Sequence, residues 1–180
     1  VPGSQNPIDA FVTDTLAKRG FTSAPHADRR VLLRRLYYDL IGLPPTYEQT
    51  ELFIADESAN AWEKVVDSLL DSPHYGERWG RHWLDVARFA ESHGFEQDYD
   101  RKFAFHYRDF VIKALNDGMP YDQFVRSILT ATGEPGSHPP VAWYREVRSS
   151  TAKMEDTAQL FLGMRLACAK CHHHPFERWS

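Results

Sequence analysis

Apolar residues recur three and four positions apart along most of this 180-residue chain, and proline or glycine separates many of the repeats. This spacing puts the apolar side chains on one face of a helix, and no stretch alternates apolar and polar residues as a half-buried strand does. Pro7 after Asn6 and the capping box of Thr46 and Gln49 are patterns of helix starts. We therefore predict an all-α fold, a single multi-helix domain of about eight amphipathic helices, at about 7–20, 27–41, 46–54, 62–70, 76–92, 103–118, 124–129 and 151–165.

The segment 133–140 is the one candidate boundary inside a domain that we expect to span 1–180. It holds three prolines and two glycines, a composition typical of a loop. For Trp143 and Tyr144, which follow the loop, a short extended segment is an open interpretation.

Both cysteines of the chain lie in one pentapeptide, Cys168-Ala169-Lys170-Cys171-His172. The pattern C-x-x-C-H is typical of covalent haem c attachment: each thiol forms a thioether bond with a haem vinyl group, and the histidine binds the iron from one face. The sequence therefore predicts one covalent haem c held by Cys168 and Cys171, with His172 as its proximal ligand.

Other chemistries also use two cysteines at this spacing. They are a redox dithiol, a structural disulfide, and half of a zinc site completed by His173 and His174. A thioredoxin-like dithiol follows a strand, whereas a helix is predicted before Cys168, and four contiguous side chains from Cys171 onward fit one tetrahedral ion poorly. Haem is the favoured interpretation, and His173 and His174 would bind its propionates or remain an exposed polar pair.

A second iron ligand would have to approach from the face opposite His172. We rank His82 first and His93 second. They lie eleven residues apart in the predicted fifth helix region, so we expect them to share one helical face. About 16.5 Å of helical rise lets at most one of them bind the iron. An ordinary core or capping role for each histidine, and an open sixth position, remain alternatives. Further candidates are His26, His74, His106, Met119, Met154 and Met164.

Charge and hydropathy argue against a nucleic-acid partner and against a membrane-spanning segment. With 21 Lys and Arg against 25 Asp and Glu, the chain has a net charge of −4, so we expect no nucleic-acid partner. No run of eighteen apolar residues is present, so we expect no membrane-spanning segment. The start Val1-Pro2-Gly3-Ser4 is not a signal peptide and fits a processed end, so this stretch does not itself report a location.

Several longer sequence segments resemble those of one known family. They are ADRR at 27–30, LRRLYYDLIGLPP at 33–45, SPHYGERW at 72–79, RHWLDVAR at 81–88, YRDFVI at 107–112, FLG at 161–163 and HPF at 174–176. Over nearly its whole length the chain thus resembles domain of unknown function 1549, the second cytochrome-like domain of large planctomycete-type secreted proteins. The resemblance implies a piece of a larger secreted chain with a separate cytochrome c-like domain and a further uncharacterised domain. It also places the family's cysteine motif on Cys168, Cys171 and His172.

We therefore expect a c-type cytochrome domain that transfers electrons outside the cytoplasm. Haem c matures on the outer side of the cytoplasmic membrane, which predicts a periplasmic or extracellular location. Its partners would be a redox protein or other domains of the parent chain. One alternative is a peroxidase- or oxidase-like haem enzyme whose open distal site uses Arg78, Arg81, His82 and Asp85. Another is a metal-stapled helical interaction module, and the sequence favours an electron carrier over a catalyst.

Overall fold

A computed structural model describes residues 6–94, 98–145, 149–173 and 178. In these residues the secondary structure is helical, apart from turns and one isolated antiparallel bridge between Ser92 and Asp100. The all-α prediction is therefore confirmed. No helix in this part of the chain is long and apolar enough to cross a bilayer. The helices are α1 (Pro7–Lys18), α2 (Arg29–Leu40), α3 (Tyr47–Ala55), α4 (Ala61–Leu70), α5 (Pro73–Val86), α6 (Ala104–Asn116), α7 (Tyr121–Leu129), α8 (Val141–Arg145), α9 (Ser150–Leu162) and a 3₁₀ helix at Leu166–Lys170.

Side-chain caps begin several helices where the sequence predicted them. The Asn6 side-chain oxygen accepts a hydrogen bond from the Ile8 amide at 2.9 Å, and Pro7 is the first residue of α1. At α3 the Gln49 amide donates to the Thr46 hydroxyl at 3.2 Å, and the Thr46 amide donates to the Gln49 side chain at 2.8 Å. These bonds satisfy amides that have no partner inside the helix, so the starts of both helices are fixed locally.

The predicted fifth helix, at 76–92, is wrong at both ends. The Ser72 hydroxyl accepts from the His74 amide at 3.4 Å and Pro73 occupies the first helical position, so α5 begins at Pro73 rather than at Gly76. It ends at Val86 because Arg88 adopts a φ of 54°, in the left-handed region. A helix cannot continue through a left-handed residue, so the chain leaves α5 six residues before the predicted end at Ser92.

The last helix is also shorter than predicted. It runs over Ser150–Leu162 instead of reaching Arg165, because Gly163 adopts a φ of 66°. The amides of Gly163 and Met164 then both donate to the carbonyl of Ala158, the second at 3.2 Å, which satisfies a carbonyl in the last turn of the helix. Met164 therefore lies beyond α9 and not on it.

Two groups of buried side chains organise the helices. The first joins α2, α3 and α4 through Leu33, Tyr37, Phe53, Ala61 and Leu69. The second joins α5, α6, α7 and α8 through Leu84, Tyr107, Val111, Ala114, Phe124, Ile128, Ala142 and Trp143. Trp143 and Tyr144 lie in α8, so the short extended segment considered for them is wrong. The loop 133–140 joins α7 to α8, and a domain boundary there stays a prediction.

The backbones of α5 and α6 approach each other closely at Gly76. A Cβ atom at Gly76 would lie 2.4 Å from the carbonyl oxygen of Ile112, so only glycine fits there. The side chain of Asn116 accepts a hydrogen bond from the Gly76 amide at 2.7 Å and donates to the Pro73 carbonyl at 3.0 Å. A side chain of α6 thus caps the first turn of α5 and fixes the two helices together.

Aromatic rings connect α9 to this helix pair. The indole N–H of Trp83 donates to the Tyr107 hydroxyl at 2.8 Å, and the Trp83 ring lies 4.9 Å from Phe124 and 5.6 Å from Phe161. Burial raises the pKa of Tyr107, because ionisation would place a charge among these rings. Phe161 is on α9, so this contact anchors the helix that precedes the two cysteines.

Candidate haem-attachment site

The cysteine motif begins in the 3₁₀ helix that follows α9, with Cys171 as the residue that ends this helix and His172 directly after it. Cys168 is half-buried, Cys171 is exposed, and both are free thiols. No residue of the 3₁₀ helix is buried. The two cysteines thus lie at or near the surface, seven and ten residues beyond the anchored Phe161.

Backbone hydrogen bonds shape the motif into a tight turn. The amides of Cys171 and His172 both donate to the carbonyl of Cys168, each at 3.3 Å. Residues three apart in a 3₁₀ turn lie one above the other, so Cys168 and Cys171 share one side of the turn.

The ring of His172 is held in a defined tautomer. Its Nδ1 atom lies 2.6 Å from the backbone carbonyl oxygen of His173. A carbonyl oxygen only accepts, so Nδ1 carries the hydrogen, and in the neutral ring Nε2 has the free lone pair. An exposed imidazole with its second nitrogen fixed by a carbonyl is the usual state of a metal-binding histidine. Two thiols on one side of a turn beside this imidazole fit a covalently attached haem.

The zinc alternative would need a cluster of ligands. Among the described residues, no three His, Cys, Asp or Glu side chains are grouped so that they could hold a metal ion. His173 is exposed, and His174 lies outside the described residues, so the roles suggested for this pair stay predictions.

The two leading distal candidates occupy different parts of the fold. His82 is exposed on α5, and its ring lies 5.4 Å from that of Trp79. His93 follows the isolated bridge, and its amide donates to the Tyr99 carbonyl at 3.0 Å. The prediction that they share one helical face is wrong, because the left-handed turn at Arg88 ends α5 before His93. Each stays a prediction as an iron ligand.

Most of the other candidates have ordinary structural contacts. His74 pairs with Glu77, with Nδ1 2.7 Å from the carboxylate oxygen. The His106 ring lies 4.0 Å from that of Phe105, and Met119 packs against the second buried cluster. The remaining candidates are exposed or half-buried, namely His26, Met154 and Met164.

The side chains proposed for an open distal site point to different surroundings. Arg78 lies against α2, where its Nε donates to the Tyr38 carbonyl at 3.4 Å. Arg81, His82 and Asp85 are exposed. These side chains therefore meet solvent or a neighbouring helix, as charged helix faces usually do.

One pocket was not indicated by the sequence. It has a volume of about 170 Å³ and lies where α5 ends, beside α8 and α9, with Arg88, Trp143 and Asp156 in its lining. Arg88 donates to Asp156 at 2.8 Å and to Gln159 at 3.3 Å. The ion pair joins residues 68 positions apart, and no local pattern in the sequence marks it.

Comparison with protein families agrees with the sequence resemblance. A family model described as PSCyt2, protein of unknown function (DUF1549), matches residues 7–180 and so includes α1 to α9 and the cysteine motif. No curated protein and no solved structure matches the chain. Because the family model covers almost all of its length, the chain belongs to the DUF1549 family.

Proposed function

We propose that this chain is a c-type cytochrome domain that holds one covalent haem through Cys168, Cys171 and His172 and transfers electrons outside the cytoplasm. The observation that carries the proposal is the 3₁₀ turn, which sets both thiols on one side and leaves Nε2 of His172 free. The family description PSCyt2 supports a cytochrome-like domain.

Attachment needs only the two thiols and two vinyl groups. Each thiol adds across one vinyl double bond, with its sulfur on one carbon and its hydrogen on the other, so no oxidant is consumed and no group leaves. When bound, the haem supplies an iron that accepts and releases one electron. The chain's own part is to hold the ring by Cys168 and Cys171 and to present Nε2 of His172 to its centre.

An electron carrier fits the surroundings better than a catalyst. Arg81, His82 and Asp85 are exposed, whereas a peroxidase-like site would enclose its base and cation away from bulk water. In this proposal His82 is the first candidate for the second iron ligand and His93 the next. The location is periplasmic or extracellular, because haem c maturation takes place there, and the partner is a redox protein or another domain of the parent chain.

The decisive experiment is maturation of the chain together with the haem c attachment machinery. We expect the intact mass to rise by one haem and the pyridine haemochrome spectrum to be that of two thioether bonds. Cys168→Ala combined with Cys171→Ala should retain no haem mass under denaturing conditions, and each single variant should give the band of one thioether bond. An unchanged mass, while a control cytochrome c is matured in the same cells, would rule out the proposal. Native mass spectrometry of that sample with zinc added would then detect the zinc alternative.

Spectra of the loaded protein identify the second ligand. We expect His82→Ala to convert a low-spin ferric spectrum to high-spin, while His138→Ala, at an exposed histidine that is not a ligand candidate, leaves it unchanged. If His82→Ala leaves the ferric spectrum unchanged and His93→Ala converts it to high-spin, His93 is the ligand. Rapid carbon monoxide binding by the unchanged reduced protein would indicate an open iron and would favour the enzyme alternative.

A further inference from the structure

The outer face of α2 is basic although the chain as a whole is acidic. The net charge of the protein is −4, yet α2 contains four arginines and one aspartate. Two of these arginines, Arg34 and Arg35, are exposed and line a groove of about 470 Å³ with Val31, Tyr38 and Asp39. The other two, Arg29 and Arg30, bond to the Phe53 carbonyl and the Glu51 carboxylate of α3, so two arginines and one aspartate remain on the outer face.

The arginines of this face lack acidic partners. Arg34, Arg35 and the neighbouring Arg78 make no ion pair with any carboxylate in the described part of the chain. Other arginines are paired within the chain, for example Arg30 with Glu51 at 2.7 Å and Arg88 with Asp156 at 2.8 Å. The charge of the α2 face is therefore not neutralised at short range.

Two of these arginines contact the exposed Tyr38, Arg34 at its ring and Arg78 at its backbone. The guanidinium carbon of Arg34 lies 4.8 Å from the centre of the Tyr38 ring, and the Nε atom of Arg78 donates to the Tyr38 carbonyl at 3.4 Å. Tyr38 is 38% exposed and Val31 is 42% exposed. Arginine and tyrosine supply a large share of the binding energy at protein interfaces, because each combines a flat apolar surface with hydrogen-bond donors.

We propose that the surface formed by Val31, Arg34, Arg35, Tyr38 and Arg78, termed the α2 face, docks an acidic segment of another protein. Its guanidinium groups match carboxylates, which accept two parallel N–H bonds, and the Tyr38 ring packs against an apolar side chain between them. Asp39 lies in the same groove and disfavours surfaces of uniform negative charge such as nucleic acid or an anionic bilayer. A peptide can place its carboxylates away from Asp39, so the α2 face fits a protein segment best.

The proposal does not depend on haem and is tested with the full chain. The probe is a fluorescein-labelled, glutamate-rich peptide with one central phenylalanine, followed by fluorescence anisotropy. We expect saturable binding that weakens as salt is added, and Arg34→Gln combined with Arg35→Gln should weaken it about tenfold. Tyr38→Ala should weaken binding about fivefold without any change in charge.

A matched control separates the α2 face from net charge. Arg19→Gln combined with Arg126→Gln removes the same charge from exposed arginines that have no ion pair in the described structure. We expect this control to bind the peptide within about twofold of the unchanged protein. Circular dichroism spectra and Tm should be the same for all variants. If Arg34→Gln combined with Arg35→Gln is less stable, the single variant Arg35→Gln replaces it in the binding experiment.

Three outcomes would overturn the proposal. The first is an equal loss of affinity in both double variants, which would make net charge the cause. The second is an absence of saturable peptide binding at low salt. The third is binding to phosphatidylserine vesicles that is lost in Arg34→Gln with Arg35→Gln while the peptide does not bind, which would assign the α2 face to a lipid surface.

Discussion

The α5–α6 pair and the turn that carries the cysteines are held in place by opposite means. At Gly76 two helix backbones touch, and Asn116 joins them by two hydrogen bonds. The 3₁₀ helix has no buried residue, and its main neighbour is α9, which precedes it in the chain. We infer that the helix pair is stable without any cofactor, whereas the position of the cysteine turn depends on what becomes attached to it.

The largest effect is expected from Gly76→Ala. The added methyl group would overlap the Ile112 carbonyl and the Asn116 side chain, at 2.4 and 2.6 Å, so the helices must separate. We expect a loss of about 3 kcal/mol in the free energy of unfolding, measured by urea denaturation. Gly136→Ala, where a Cβ atom meets nothing within 4 Å, is the control and should change little. Equal stability of both variants would refute the close approach of α5 and α6.

A smaller loss is expected from Asn116→Ala. This change leaves the Gly76 amide and the Pro73 carbonyl without their partner, at a cost of about 1–2 kcal/mol. Asn116→Asp keeps the acceptor but loses the donor, so its stability should lie between the two. If Asn116→Asp is as unstable as Asn116→Ala, the bond to the Gly76 amide contributes nothing.

The pH dependence of stability should report on the same helix pair. Burial raises the pKa of Tyr107 above its ordinary value of 10.0, so the unfolded chain releases this proton at lower pH than the folded chain does. The contribution of Tyr107 is therefore fully present below about pH 10 and is lost as the pH rises toward its folded-state pKa. Chemical denaturation across this range should show a steeper loss for the unchanged protein than for Tyr107→Phe. Parallel profiles would mean that Tyr107 is accessible to water when folded.

The smallest effect is expected in the cysteine turn. Without haem, Cys168→Ala combined with Cys171→Ala should change the free energy of unfolding by less than about 0.5 kcal/mol, because neither side chain is buried. Thermal and urea denaturation of the haem-free proteins measure this directly. A loss comparable to that of Gly76→Ala would show that the turn is part of the core, and the contrast between the two regions would fail.

Local patterns in the sequence predicted the parts of the fold that depend on neighbouring residues. Asn6 with Pro7 and Thr46 with Gln49 give helix starts that need nothing distant, and the structure confirms both. The end of α5 was missed because it depends on Arg88, and arginine carries no signal for left-handed backbone. The start of α5 was also missed, since the predicted helix begins at Gly76, although serine before proline is a pattern of a helix start.

The candidate site likewise has one part that the local sequence predicts and one part that depends on the fold. Cys168, Cys171 and His172 are contiguous, so their pattern can be recognised without any knowledge of the fold. The proposed second iron ligand would have to come from elsewhere in the chain, and the prediction that His82 and His93 share one helical face failed because α5 ends at Val86. The close approach of α6 at Gly76 could not be predicted from the sequence. A glycine inside a helix does not indicate which distant residue packs against it.

The left-handed turn at Gly163 sets the direction in which the chain leaves α9 toward the cysteines. Phe161, two residues earlier, is anchored against Trp83, and the chain bends at Gly163 before it reaches the thiols. Grafting the pentapeptide alone onto another helical protein would transfer its two cysteines and its histidine. It would not transfer the direction in which the chain presents them. A graft that keeps this direction would have to start at α9 and include Gly163. The host protein would have to supply aromatic rings that contact Phe161, as Trp83 does here.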